Sequence, residues 1–187
     1  GIYKKFDVDP DIVIYGKTMG NGYAITSVVG RKEIMEYAQK TFISSTFWTE
    51  RIGPSAAIKS LEIMKKIKSW EIITAIGKKI NYGWKEISKN YGIPVSTSAI
   101  PAVTSFTINC KDAKYYKTYL TQEMLKKGIL ATTNFYACID HNQTHIDNYL
   151  YHLDGIFKTI AKCEKGEINI KDLLEGPVCN SGFGRLN

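Results

Sequence analysis

Apolar residues recur along this chain with two different periods, and the change of period predicts where strands and helices lie. A run of β-formers at 12–15 predicts a short buried strand, and an apolar stretch at 25–29 predicts a second one. Apolar positions spaced three or four apart then predict three helices, over 31–40, 54–70 and 72–91. Gly92 follows the last of these and is a predicted C-cap.

Strands alternate with helices in the second half of the chain. The predicted strands are 101–110 and 129–139, and the predicted helices are 115–127 and 144–163. This alternation is typical of a small α/β domain. At 187 residues, the chain is long enough for one domain or two small ones.

Composition places the chain in an ordinary class of protein. It has 187 residues, of which 44% are hydrophobic and 23% charged. Its apolar runs fall short of the roughly 18 residues that a membrane-spanning helix needs, and residues 1–7 do not resemble a signal peptide. These observations favour a cytoplasmic protein that does not enter a membrane.

The charge does not indicate nucleic-acid binding. The net charge is +7, but only three of the 25 basic residues are arginine and the lysines are dispersed. Nucleic-acid readers concentrate arginine in patches. A lysine-rich solvated surface is therefore the favoured interpretation, although it would still attract anionic ligands.

Metal chemistry is not expected either. The four cysteines are too far apart for zinc-ligand spacing and are interpreted as reduced, structural residues. His141 and His145 are four residues apart, but the sequence shows no third ligand near them. Capping or surface roles are favoured for both, and His152 is interpreted in the same way.

Two stretches carry candidate chemistry. Lys17 follows the strand at 12–15 and is itself followed by Gly20 and Gly22, which allow close backbone approach. A lysine held at such a strand end can be desolvated, which favours a reactive amine, although a solvated loop lysine has the same spacing. The second stretch, 41–54, is rich in hydroxyl groups and leads into a Gly-Pro helix start that suits a phosphate or a simple capped loop.

The segment 10–23, PDIVIYGKTMGNGY, together with the strand ending VVGR at 28–31, resembles the cofactor-lysine segment of class III aminotransferases. This family consists of fold-type I enzymes that use pyridoxal 5′-phosphate (PLP), and glutamate-1-semialdehyde aminomutase is a relative. The resemblance implies that Lys17 is catalytic and forms the internal aldimine. It also implies that 1–70 is the C-terminal portion of the large PLP-binding domain, and that 71–187 is the complete small C-terminal α/β domain.

The resemblance assigns a second cofactor residue, Thr49. In the family a threonine a few residues before a Pro binds the cofactor phosphate, and Thr49 lies five before Pro54. In family dimers this threonine reaches the cofactor of the neighbouring subunit. A homodimer is therefore expected.

The order of elements over 124–147, including His141, resembles the aminomutase branch, and the ending 174–187 resembles a tail found in some class III members. Many ω-aminotransferases carry a small-domain Arg that grips a carboxylate, but no Arg lies between Arg51 and Arg185. The aminomutase branch has a characteristic Glu in its small domain. That Glu would fall near Thr132 or Thr133, neither of which is acidic. Transfer of an amino group to or from another small carbonyl substrate is compatible with these departures.

Members of the family are more than twice this length, and groups supplied by their N-terminal half are not found here. These are the Asp that pairs with the pyridinium nitrogen, an aromatic residue that stacks on the ring, and a phosphate loop. The resemblance therefore implies the C-terminal part of an enzyme, inactive by itself, that associates with that half or with a second copy. The alternative is a catalytically inactive remnant that acts as a binding domain.

Overall fold

The computed structural model describes residues 1–180, and Ser181–Asn187, which include part of the family-like tail, lie outside them. The chain divides into two compact units, Gly1–Ser69 and the segment from Trp70 onward. The strands and α-helices of the first unit are β1 (Ile12–Tyr15), β2 (Ser27–Gly30), α1 (Lys32–Met35) and α2 (Ile52–Ile67). Three 3₁₀ turns accompany them, at Ile2–Phe6, Lys17–Met19 and Glu36–Lys40.

The two strands of the first unit form an antiparallel pair in which Ile14 lies opposite Val28. The predicted bounds of β1 are confirmed, but the expectation that it is buried is wrong, because Ile12 and Ile14 are exposed. A two-stranded sheet gives each strand one neighbour, and within residues 1–69 Ala57 is the only buried apolar side chain. The first unit therefore has no hydrophobic core of its own.

Three predicted boundaries in this unit need correction. β2 begins two residues later than expected. The helix predicted over 31–40 is one α-helical turn followed by a 3₁₀ turn. α2 begins at Ile52, with Pro54 in its first turn where a missing N–H costs little, and ends where Lys68 takes a left-handed conformation.

The second unit contains α3 (Ser69–Tyr91), β3 (Val95–Thr97), β4 (Val103–Ile108), α4 (Ala113–Leu125), β5 (Asn134–Tyr136), α5 (Gln143–Glu164) and a 3₁₀ turn at Ile170–Leu173. Its strands form an antiparallel sheet in the order β3-β4-β5. The sequence analysis did not predict β3. The strand predicted over 129–139 is longer than the observed β5. The predicted elements that correspond to α3, β4, α4 and α5 are all present, although most of their ends differ from the prediction.

A hydrophobic core fills the second unit. The Trp84 ring packs on Phe106 with centroids 4.7 Å apart, and Phe106 packs on Phe157 at 6.1 Å. The Trp84 Nε1–H donates to the Tyr149 hydroxyl at 2.9 Å, which satisfies a buried donor. These contacts join α3 and α5 to β4.

The helix ends follow the sequence closely. Gly92 has φ +67° after α3, and the Ile93 N–H donates to the Ser88 carbonyl at 3.0 Å, which confirms the predicted C-cap. Asn142 caps α5 by accepting from the His145 N–H at 2.9 Å. Among residues 1–180, no helix is both long and apolar enough to cross a membrane.

Candidate active site

Lys17 lies two residues after the end of β1, at the point where the chain turns. Gly16 is extended, and Lys17 then takes φ +50° in the left-handed region, which a residue with a side chain adopts at a cost of about 1 kcal/mol or more. The turn is closed by the Gly20 N–H, which donates to the Lys17 carbonyl at 3.2 Å. A strained backbone is a common feature of functional sites, and the Lys17 side chain is exposed.

The loop that follows Lys17 depends on glycine. A Cβ on Gly20 would overlap the Tyr23 carbonyl oxygen, and Gly22 has φ +106°. A Cβ on Gly53, in the first turn of α2, would lie 2.7 Å from the Ala24 carbonyl oxygen. The loop therefore packs closely on the start of α2, and this packing fixes Lys17 relative to that helix.

Lys17 lines a cavity of about 790 Å³ within the first unit. Its polar lining includes the hydroxyl residues Thr26, Ser44 and Ser45, and aromatic residues such as Trp48 contribute to the wall. The volume lies in the range of roughly 300–1,000 Å³ that small-molecule sites occupy. An amine, hydroxyl groups and aromatic rings thus share one concave surface.

Thr49 lies in the loop before α2 and is exposed. Its neighbours Trp48 and Glu50 line the cavity, but Thr49 is not among the lining residues. The structure therefore brings Lys17 together with Ser44 and Ser45 rather than with Thr49 of the same chain.

Glu50 is a cavity residue that the sequence analysis did not identify. Its carboxylate accepts from the Ile52 N–H, and also from the Gly53 N–H at 3.0 Å. It thereby satisfies two of the amides left unpaired at the start of α2. The helix start that the sequence suggested for a phosphate is therefore occupied by a carboxylate, and an acidic residue two positions before the helix was the available signal.

Within residues 1–180, the cysteines form no disulfide and the histidines make local contacts. The described cysteines are free, and the described residues hold no group of three or more metal-ligating side chains. The His141 Nδ1 accepts from the Cys138 N–H at 3.0 Å, and the His152 ring packs against Tyr151 at 5.2 Å.

Comparison with known proteins gives a consistent family. The model of the class III aminotransferase family matches residues 2–139. The chain is 30% identical over 169 residues to a 3-aminobutyryl-CoA aminotransferase of Cloacimonas acidaminovorans, covering 88% of this chain and 41% of that protein. It is 22% identical over 178 residues to a glutamate-1-semialdehyde 2,1-aminomutase of Sulfurihydrogenibium, covering 86% of this chain and 42% of that protein. The chain thus spans about two fifths of the length of these relatives.

Solved structures show the same fold. The FumI protein of Sphingopyxis sp. MTA144, in its PLP internal aldimine form, superposes with a TM-score of 0.78 at 19% identity and covers 92% of this chain and 42% of that one. An omega-transaminase from Sphaerobacter thermophilus gives 0.76 at 13% identity, covering 87% and 41%. The mixed α/β fold is that of part of a fold-type I PLP-dependent transaminase, as the resemblance implied. Because the family model matches most of its length, this chain belongs to the class III aminotransferases.

Proposed function

We propose that the chain is the C-terminal portion of a PLP-dependent aminotransferase or aminomutase that transfers an amino group to or from a small carbonyl substrate. The observation that carries this proposal is the Lys17 amine at the end of β1, in one cavity with hydroxyl groups and aromatic rings. In this proposal residues 1–70 are part of the large PLP-binding domain and residues 71–187 are the small domain. The family and the PLP-bound relatives support the assignment.

The cavity residues fit two ends of PLP. Lys17 offers an amine for the aldehyde, and Ser44 and Ser45 offer hydroxyl donors for a phosphate. The carboxylate that lines the cavity belongs to Glu50, and it is engaged by the amides of α2. Residues 1–69 thus supply no carboxylate placed for the ring nitrogen, which we assign to the remainder of the fold.

Each residue has a separate task in this proposal. Bound PLP acts as an electron sink for charge that develops at the substrate carbon. The Lys17 Nζ would hold the aldehyde carbon, and as a free amine it would move the proton at the substrate carbon. The resemblance to the family assigns the Thr49 hydroxyl to the cofactor phosphate of a second subunit, and an exposed Thr49 outside the cavity of its own chain is compatible with that role.

Borohydride reduction after titration with PLP tests the role of Lys17. With the 187-residue chain and stoichiometric PLP, we expect labelling at Lys17, and we expect Lys17→Ala to lose both the label and the visible absorbance of bound cofactor. Lys59→Ala is the matched control, because Lys59 is an exposed helix lysine whose Nζ pairs with Glu62 at 3.3 Å. That variant should label as the wild type does.

Two other outcomes are informative. Slow labelling scattered over many lysines would favour the alternative, an inactive remnant that serves as a binding domain. If the scatter becomes specific once the N-terminal part of the fold is added as a separate chain, the cofactor site needs both parts. A visible absorbance that is unchanged by Lys17→Ala in that complex would contradict the proposal.

A further inference from the structure

We infer that the second unit binds a small organic carboxylate with an aromatic body. The site is a cavity of about 580 Å³ lined by residues of 127–136 and 141–149. It therefore lies between the segment that leads into β5 and the first two turns of α5. Its volume is in the range of roughly 300–1,000 Å³ that is usual for small-molecule sites.

Two histidines in this cavity are held by the backbone in defined orientations. The His141 Nδ1 accepts from the Cys138 N–H at 3.0 Å, so the ring hydrogen of His141 is on Nε2. The His145 Nδ1 lies 3.2 Å from the Asp140 carbonyl oxygen, which can only accept, so this Nδ1 carries a hydrogen. The Nε2 atom of each ring is thereby left as the polar atom available to a ligand, and His141 offers a hydrogen-bond donor.

The charge of the lining selects an anion. Lys127 supplies a positive charge to the lining, and the lining includes no Asp or Glu. The nearest acids in the sequence are engaged elsewhere, since Asp147 accepts from the Gln143 amide at 2.7 Å and Asp140 lies 3.7 Å from the Cys138 Sγ. The cavity also faces the first turns of α5, where the helix dipole favours negative charge.

The remaining surface suits an aromatic body. The Phe135 ring lies between the His141 ring at 5.0 Å and the Tyr149 ring at 6.1 Å. Ile146 and Tyr149 are buried beneath the cavity. A ligand with a planar apolar group and a carboxylate would bury the planar group on these rings. Its carboxylate would accept a hydrogen bond from the His141 Nε2–H and pair with the charge of Lys127.

NMR of the histidine side chains tests this site directly, because the chain has only three histidines. On titration of the full chain with phenylacetate, the ring signals of His141 and His145 should move to saturation. His152, which does not line the cavity, should not move. The neutral analogue 2-phenylethanol should bind at least tenfold more weakly, and equal affinity for both probes, or an equal response of His152, would overturn the inference.

A cavity-filling variant gives a second test. Asn148 is an exposed residue of α5 that lines the cavity, so Asn148→Trp should weaken phenylacetate binding at least tenfold without disturbing the core. Thr144→Trp, at an exposed position of the same helix outside the lining, should change it less than twofold. Undiminished binding by Asn148→Trp would refute the site. Lys17→Ala should leave it unchanged, so this inference and the proposed function can fail separately.

Discussion

The pKa of the Cys110 thiol is raised by the surroundings of this residue. Burial, followed by the negative charge of Glu164, raises the pKa of the Cys110 thiol from 9.0 to about 11. Glu164 also accepts a hydrogen bond from Tyr116, and burial together with that contact raises the pKa of the Tyr116 hydroxyl. The folded chain therefore keeps protons in this region that the unfolded chain releases.

The pKa of Cys110 predicts a loss of stability in alkaline solution. Its contribution is fully present below pH 9, where folded and unfolded chains both hold the proton, and is lost as the pH rises toward 11. The free energy of unfolding, measured with urea between pH 8 and pH 11, should fall more steeply for wild type than for Cys110→Ala. Tyr116 acts in both proteins, so their difference isolates the thiol. Equal slopes would show that Cys110 does not contribute.

Among single residues, those that carry a recognisable motif or a glycine were predictable from the sequence. The family-like segment around Lys17 and the left-handed Gly22 could be read from the sequence, because motif and glycine are both visible there. The positive φ of Lys17 could not, because residues with side chains rarely adopt it. The capping role of Glu50 was not predicted, because the hydroxyl groups beside it favoured a phosphate site or a Ser/Thr-capped loop.

Two glycines on long helices predict opposite results for the same substitution. Alanine normally stabilises a helix interior by about 0.5–1 kcal/mol relative to glycine. Gly155 of α5 has open space around the position of a Cβ, so Gly155→Ala should raise the free energy of unfolding by that amount. A Cβ on Gly77 of α3 would overlap the backbone of Pro101, which cannot move aside as a side chain does, so Gly77→Ala should lower it by about 1–3 kcal/mol.

Denaturant unfolding of the two variants side by side provides the measurement, and each serves as the control of the other. A gain in stability for Gly77→Ala would mean that the turn at Pro101 does not pack on α3 as described. A loss for Gly155→Ala would point to a contact on the exposed side of α5.

The accuracy of the predicted elements followed the strength of their periodicity. α3 and α5 carry many turns of helical spacing, so their existence and approximate ends were predictable. β3 is three residues long and too short to show alternation. Residues 129–133 are partly apolar, but the ladder with β4 covers only Asn134–Tyr136, and hydrogen-bond pairing of this kind is not visible in composition.

At the scale of the whole chain, the apolar residues are distributed unevenly between buried and exposed positions. The hydrophobic core cluster runs from Ile76 to Ile170 and lies in the second unit. In the first unit, Ile14 is 72% exposed and Phe42 is 94% exposed. The two halves of the sequence have similar apolar patterns. The pattern therefore does not show that the apolar residues of the second unit are buried while many of those in the first unit are exposed. Large exposed apolar patches mark interaction surfaces.

We therefore predict that the chain does not persist as a monomer. Burying such side chains stabilises association by roughly 25 cal/mol per Å² of apolar surface, and the unpaired edges of a two-stranded sheet recruit further strands. Sedimentation at micromolar concentration should show a dimer, or a complex when a chain supplying the N-terminal part of the fold is present. The double variant Ile14→Lys with Val28→Glu places opposite charges at a cross-strand pair, which keeps the hairpin while making its surface polar. It should weaken association at least tenfold, whereas Tyr151→Lys, at a 76% exposed position of α5, should not. A wild-type chain that sediments as a single 21.1 kDa species would contradict this prediction.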